Sequence, residues 1–168
     1  EIEADSCLCP LKLKKALALL AFLSTQGSTL PRDSLAAILW PDVDDARTQL
    51  RYVLWSLRNQ LGREWLLFED DLIGLNPTAH ILVDVNQFQS LLQRAAPSLR
   101  AQALPDRPVL SLLEQAVGLY RDDFLSGFSL RGCPDFDEWQ SLHTEAYRQD
   151  LSLALQSLVR GLTETEEY

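Results

Sequence analysis

Little in this sequence points to catalysis or to a bound metal. The cysteines number three, Cys7, Cys9 and Cys133, an odd count, and Cys7 and Cys9 stand too close in the chain for an ordinary bridge. No disulfide framework is expected, and a reducing, cytoplasmic setting is the natural inference. No C-x-x-C or H-x-x-x-H spacing joins these thiols with His80 and His143, so neither a metal nor a cofactor is expected. The hydrolytic G-x-S-x-G and the phosphate-cradling G-x-x-x-x-G-K-[ST] are both missing, and the seven glycines are scattered. The acidic groups Asp122–Asp123 and Asp135, Asp137 and Glu138 fall at a helix end and a helix start, where carboxylates act as solvated caps, so no catalytic residue is expected. His143, close to Trp139 and Tyr147, reads as a packing or surface residue rather than a base.

Long apolar runs are missing too. Lys12, Lys14 and Lys15 precede eight apolar residues, 16 to 23, in imitation of a signal peptide. Against that, Glu1, Glu3, Asp5 and Ser6 come first, no small-x-small cleavage site follows, and the run is far short of the roughly 18 residues a bilayer needs. Neither export nor a membrane partner is expected.

Positive charge is scarce. Fifteen Lys and Arg face 24 Asp and Glu, a net charge of -9, which disfavours a general affinity for nucleic acid or anionic lipid. Any anion-binding role must come from a local patch. What is present is an ordinary globular composition, 168 residues with 46% hydrophobic and 23% charged, sufficient for a core.

The periodicity is mostly helical. Leu13, Leu17, Leu20 and Ala21, with Phe22 and Leu23, mark a first helix that Gly27 stops. A second, shorter helix follows in LPRDSLAAILWP, with Pro31 in its first turn and Pro41 beyond its end. Asp42, Asp44 or Asp45 can cap a third helix, whose inner face is Leu50, Val53, Leu54, Leu57 and Leu61 and whose stop is Gly62. The period then changes: 65 to 68 and 72 to 75, about an acidic turn, read as a β-hairpin closed by Asn76 and Pro77. A further helix begins at Asp84, with Gln87 in capping-box spacing and Phe88, Leu91, Leu92 and Ala95 inward. Residues 96 to 107, with Pro97, Pro105 and Pro108 nearby, read as a loop. Another helix spans 111 to 124, 127 to 134 form a turn-rich break, and a long last helix starts on the capping pair Asp135 and Glu138. Trp139 and Tyr147 on it read as core.

The third helix contains the local patch. Residues 46 to 62 hold Arg47, Arg51 and Arg58 and no carboxylate. At about 100° per residue the three arginines share a stripe roughly 40° wide beside the leucine face, with Thr48, Tyr52, Trp55 and Asn59 in the next sector outward. Such a face suits a major groove, with arginines reaching phosphates or guanine edges. The stripe could instead pair with acids of adjacent elements, among them Asp42, Asp44, Asp45 or the acidic turn. The order of short helix, tight turn, longer helix and hairpin is that of a winged helix-turn-helix.

The residues KKALALLAFL, LPRDSLAAILWPD, ARTQLRYVLWSLRNQLG and GLNP followed by VDVNQFQSLL resemble bacterial transcriptional regulators of the antibiotic-regulatory-protein type. AVGLYRDDFLSGF and FDEWQSLHTEAYRQDLSLAL resemble the bacterial transcriptional activator domain that follows in that family. The resemblance implies a mostly α chain: an OmpR-like winged helix-turn-helix of three helices plus a hairpin wing at 1–80, then at 81–168 the first part of a tetratricopeptide-like helical domain, truncated relative to the family. The strands that precede helix one in that family are expected to be mostly missing here. It further implies that Arg47, Thr48, Arg51, Tyr52, Trp55, Arg58 and Asn59 meet double-stranded DNA. Activation through RNA polymerase and other domains of the same regulator is implied as well, with Asp42, Asp44 and Asp45 as contact candidates.

A reading of another class is a protein-interaction module of a larger signalling regulator that keeps the fold without binding DNA. Trp55 stands where that family carries a small polar residue, and a bare indole also suits a protein contact. Glu69, Asp70 and Asp71 lie at the hairpin tip, where a DNA backbone would approach. Residues 1 to 95 carry 9 basic and 12 acidic side chains, so this half is not basic overall.

Overall fold

The computed structural model describes residues 2–4, 7–8, 14–79, 81–100 and 104–166; Cys9, Lys12, Leu13, His80 and residues 101–103 of the expected loop lie outside these. The structure is mostly helical, with six helices and two three-stranded antiparallel sheets among the described residues. It divides into two compact units, one of Glu1–Val83 with Phe128–Trp139, the other of Asp84–Gly127 with Gln140–Tyr168.

In the first unit, strands β1 (Ile2–Ala4) and β2 (Cys7–Leu8) precede helix α1 (Lys14–Gln26). β1 lies between β2 and the later strand β6 (Leu82–Val83). The expectation that the strands before helix one are mostly missing is thereby corrected; two- and three-residue strands are too short to register as alternation. α1 is apolar on nearly every side, with Ala16 and the whole of 18 to 24 buried, as a helix at the centre of a core must be. Its one buried hydroxyl is satisfied, Ser24 Oγ donating to the Ala21 carbonyl at 2.9 Å. Gly27, at φ +64°, follows α1 in the left-handed conformation that glycine adopts without strain.

Pro31 caps α2 (Arg32–Leu39) rather than occupying its first turn, because its extended ψ of 139° lets Leu30 and Pro31 form strand β3. β3 pairs with β5 (Leu72–Leu75), Leu30 opposite Ile73, and β5 pairs with β4 (Leu66–Glu69), in the order β3-β5-β4. Proline suits such an edge, where no ladder donor is required of it. The β4–β5 turn bends at Asp70, φ 51°, in the left-handed region that aspartate tolerates better than most residues. Asn76 ties the hairpin ends together, its amide donating to the Glu64 carbonyl at 2.7 Å and its backbone N–H to the Trp65 carbonyl at 2.9 Å. Gly74 lets β5 approach the chain before β3: a Cβ there would lie 2.8 Å from Thr29 Cγ2 and 3.3 Å from its Cα. Gly74→Ala should therefore cost about 1–3 kcal/mol in urea unfolding; an unchanged midpoint would contradict the close approach.

The segment 128–139 completes this unit's core. Phe136 is fully buried; its ring centroid lies 5.0 Å from that of Trp139 and 6.0 Å from that of Phe128, and Trp139 meets Phe22 of α1 at 4.9 Å. The buried Cys133 thiol donates to the Leu39 carbonyl at 3.2 Å, and Lys15 Nζ donates both to that carbonyl and, at 2.8 Å, to Cys133 Sγ. The ammonium lies 5.3 Å from the Trp40 ring centroid.

The second unit is built on α4 (Asp84–Arg100), α5 (Arg107–Leu119) and α6 (Pro134–Glu166) from Gln140 onward. Its core is layered: Phe88, Ala116 and Tyr147 form one layer, and Ala95, Leu113 and Ala154 the next. Small residues at 95, 116 and 154 let the three helices close on one another. The loop expected over 96 to 107 is corrected, since α4 continues to Arg100 through Pro97. A proline three residues from a helix end removes only the bond to the carbonyl of residue 93, and Gln93 is exposed, so water can take that carbonyl. α5 starts earlier and stops earlier than expected: Asp106 caps it, its carboxylate accepting from the Val109 N–H at 3.1 Å, and Pro108 sits in the first turn. α6 likewise starts at Pro134, so Asp135 lies inside the first turn instead of capping it.

Asp123, expected only as a solvated helix-end acid, ties 120 to 127 to α6. Its carboxylate accepts from Arg148 Nε at 2.8 Å, from Arg148 Nη2, and from Tyr120 Oη at 3.1 Å. The Arg148 hydrogen bond holds the Asp123 carboxyl below its ordinary range. His143 packs at 5.9 Å from both the Phe124 and Tyr147 rings. Tyr147 is buried, and that burial, with the charges of Asp150 and Asp84, pushes its hydroxyl up to about 12. The neutral phenol is favoured by the fold, so its contribution is complete below the ordinary value of about 10 and is lost as pH climbs toward 12. Spectrophotometric titration should show one of the four tyrosines ionising near 12; all four ionising together at the ordinary value would contradict this environment.

Candidate nucleic-acid interface

α3 (Ala46–Leu61) is held by its apolar stripe, with Leu50, Val53, Leu54 and Leu57 buried. Gly62, at φ +104°, ends it, its N–H donating to the Arg58 carbonyl at 3.1 Å. Asp45 occupies the N-cap position but makes no side-chain cap bond; its backbone carbonyl accepts from the Thr48 and Gln49 N–H groups instead. Asp42, Asp44 and Asp45 are all exposed in the turn between α2 and α3.

The outward face is as the spacing predicts: Arg47, Thr48, Arg51, Tyr52, Trp55, Arg58 and Asn59 are all exposed. Tyr52 and Trp55, one turn apart, stack with centroids 6.2 Å apart and planes 27° from parallel, at 56% and 61% exposure. Two large rings left this open on one helix face form an apolar platform.

The three arginines differ in their surroundings. Arg47 is paired with carboxylates: its Nε and Nη2 donate to the two carboxylate oxygens of Asp33, the latter at 2.6 Å, and Nη2 also reaches Asp71 at 3.2 Å. This pairing with Asp33 holds the Asp33 carboxyl below the ordinary range and raises the Arg47 guanidinium above its own. Arg58 lies over the Phe68 ring of β4, 5.4 Å from its centroid, and Arg32 of α2 is 5.6 Å from the same centroid. Arg51 makes no ion pair among the described residues. It lines, with Arg32, Arg47, Leu50, Asp70 and Asp71, a hollow of about 230 Å³.

The carboxylates that meet the stripe are thus Asp33 and Asp71, rather than Asp42, Asp44 or Asp45. Asp71 belongs to the acidic turn read from the sequence. Asp33 escaped that reading because it lies 14 residues from Arg47 on another helix, where no local spacing rule applies. Arg32 was missed for the same reason; it is bound to the hairpin turn through its N–H to the Asp71 carbonyl at 2.9 Å and through Nε to the carboxylate at 3.7 Å.

Among the described residues no group of three or more His, Cys, Asp or Glu could hold a metal ion, and no helix is long and apolar enough to cross a membrane. No protein-family model matches the chain, and no curated protein is significantly similar to it.

Proposed function

We propose that residues 1–80 are a winged helix-turn-helix that lays α3 in the major groove of duplex DNA. Residues 81–168, apart from the segment 128–139 that packs into the first unit, belong to a tetratricopeptide-like activator domain. The whole is a cytoplasmic transcriptional regulator of the antibiotic-regulatory-protein type, with no catalysis of its own. The observation that carries this reading is the outward face of α3, where Arg51, without an ion pair among the described residues, stands beside exposed Thr48, Tyr52, Trp55 and Asn59. An exposed guanidinium on such a helix face can grip guanine O6 and N7 in a fork, and neighbouring rings suit the methyl groups of thymine. The element order supports it: α2, a tight turn, α3, then the β4–β5 hairpin as wing. The triple-helix layers about Ala95 and Ala116 support the second domain's assignment. Exposed Asp42, Asp44 and Asp45 are available to RNA polymerase.

Trp55 is the natural reporter, as Trp65 is buried and Trp40 and Trp139 are half-buried. Titrating a mixed-sequence duplex into the chain at roughly 50 mM salt, where phosphate contacts are strongest, should quench its emission. Trp55→Phe should still bind while losing the change. Duplex bound without any effect on Trp55 would remove α3 from the groove.

The second reading, an interaction module without DNA, is favoured by the same open Tyr52–Trp55 platform and by exposed Glu69, Asp70 and Asp71. In that case the quench would be absent with duplex and would appear with a protein partner.

A further inference from the structure

A carboxylate that takes both edges of a guanidinium does so with the geometry a phosphate uses, so the two compete for one fork. Asp33 holds Arg47 in this way and Asp71 adds a third bond. Arg32 shares Asp71. Two guanidinium groups and two carboxylates leave this cluster with no net charge to offer a backbone phosphate. Asp33, Asp71 and Arg47 are largely solvent-facing, at 68%, 55% and 54%, and Arg32 is half-buried at 29%. Solvent and salt screen these groups, so a phosphate that offers the same fork can displace the carboxylates.

Resting on the reading of α3 as the duplex-binding helix, we infer that Asp33 and Asp71 clamp Arg47 out of the nucleic-acid contact and thereby set how many phosphates this face neutralises. Arg51 is then the reader and Arg47 a reserve cation. The two carboxylates are positioning residues that act through Arg47. Whatever weakens them adds a phosphate contact without altering the bases that Arg51 meets.

Salt dependence counts phosphates: the slope of log affinity against log salt is about -0.9 per phosphate neutralised on B-form DNA. The measurement is that slope for the full chain on one mixed-sequence duplex. The Asp33→Asn/Asp71→Asn variant should steepen it by at least about 0.9. Glu69→Gln/Asp70→Asn removes the same charge from residues with no ion pair among the described ones, and should raise affinity while leaving the slope in place. Arg47→Gln alone should leave the slope unchanged, and added to Asp33→Asn/Asp71→Asn it should cancel the steepening. Equal steepening in both charge-matched variants would overturn the clamp, leaving only general electrostatics. A slope made shallower by Arg47→Gln alone would overturn it too, since Arg47 would already be on a phosphate. Absence of binding by every variant at roughly 50 mM salt, where phosphate contacts are strongest, would bring down the duplex-binding reading itself, and the clamp with it.

Discussion

Arg51→Glu should lower duplex affinity by about 100-fold or more on the proposed reading of α3, which gives Arg51 a bidentate base contact and a charge toward the DNA. Its unfolding free energy should stay within about 0.5 kcal/mol of the parent, as for surface changes generally, because Arg51 is exposed and has no ion pair among the described residues. That separation of binding from stability makes it the cleanest of the three arginines to change. Arg47→Glu would set like charges against Asp33 and Asp71. Arg58→Glu would place a carboxylate over the Phe68 ring in place of a guanidinium, losing about 0.5–1 kcal/mol of cation–π attraction. Fluorescence anisotropy with a labelled duplex, alongside thermal unfolding, measures both quantities. An Arg51→Glu variant that binds as the parent does would remove Arg51 from the interface.

Phe136→Ala carries the largest expected loss of stability, about 3–5 kcal/mol for a fully buried aromatic ring. The ring lies between Phe128 and Trp139, and Trp139 in turn meets Phe22 in the central helix α1. Its removal should therefore unfold the first unit at a lower urea concentration, even though residue 136 is more than fifty positions beyond Val83. A loss below about 1 kcal/mol, the size expected of a surface position, would show that 128–139 does not belong to that core.

The inner face of α3 was legible because Leu50, Val53, Leu54 and Leu57 repeat at the helical period, and a period that fixes the buried side also fixes the outward one. The hairpin was legible from two apolar runs about an acidic turn, within one residue of β4 and at the bounds of β5. Strands β3 and β6 were not, since two residues cannot show alternation and their pairing partners lie far along the chain. Proline misled in both directions. Pro97 reads as a breaker yet sits inside α4, and Pro108, beside the expected loop, lies in the first turn of α5. Which arginine has neither an ion pair nor a ring contact among the described residues was also beyond local reading. Arg47, Arg51 and Arg58 are alike by spacing, and only the folding of Asp33, Asp71 and Phe68 around them makes Arg51 different. The packing of 128–139 with the first unit is likewise a long-range event that no local signal announces.

The central claim is that α3 reads duplex DNA, and the most direct measurement is enrichment of a random duplex library on the chain at roughly 50 mM and roughly 200 mM salt, a range over which phosphate-driven binding weakens steeply. If α3 is the reading helix, one motif should be recovered that survives the higher salt, holds a guanine step, and disappears with Arg51→Glu. Recovery of no motif at either salt would contradict it and transfer the Tyr52–Trp55 platform to a protein partner.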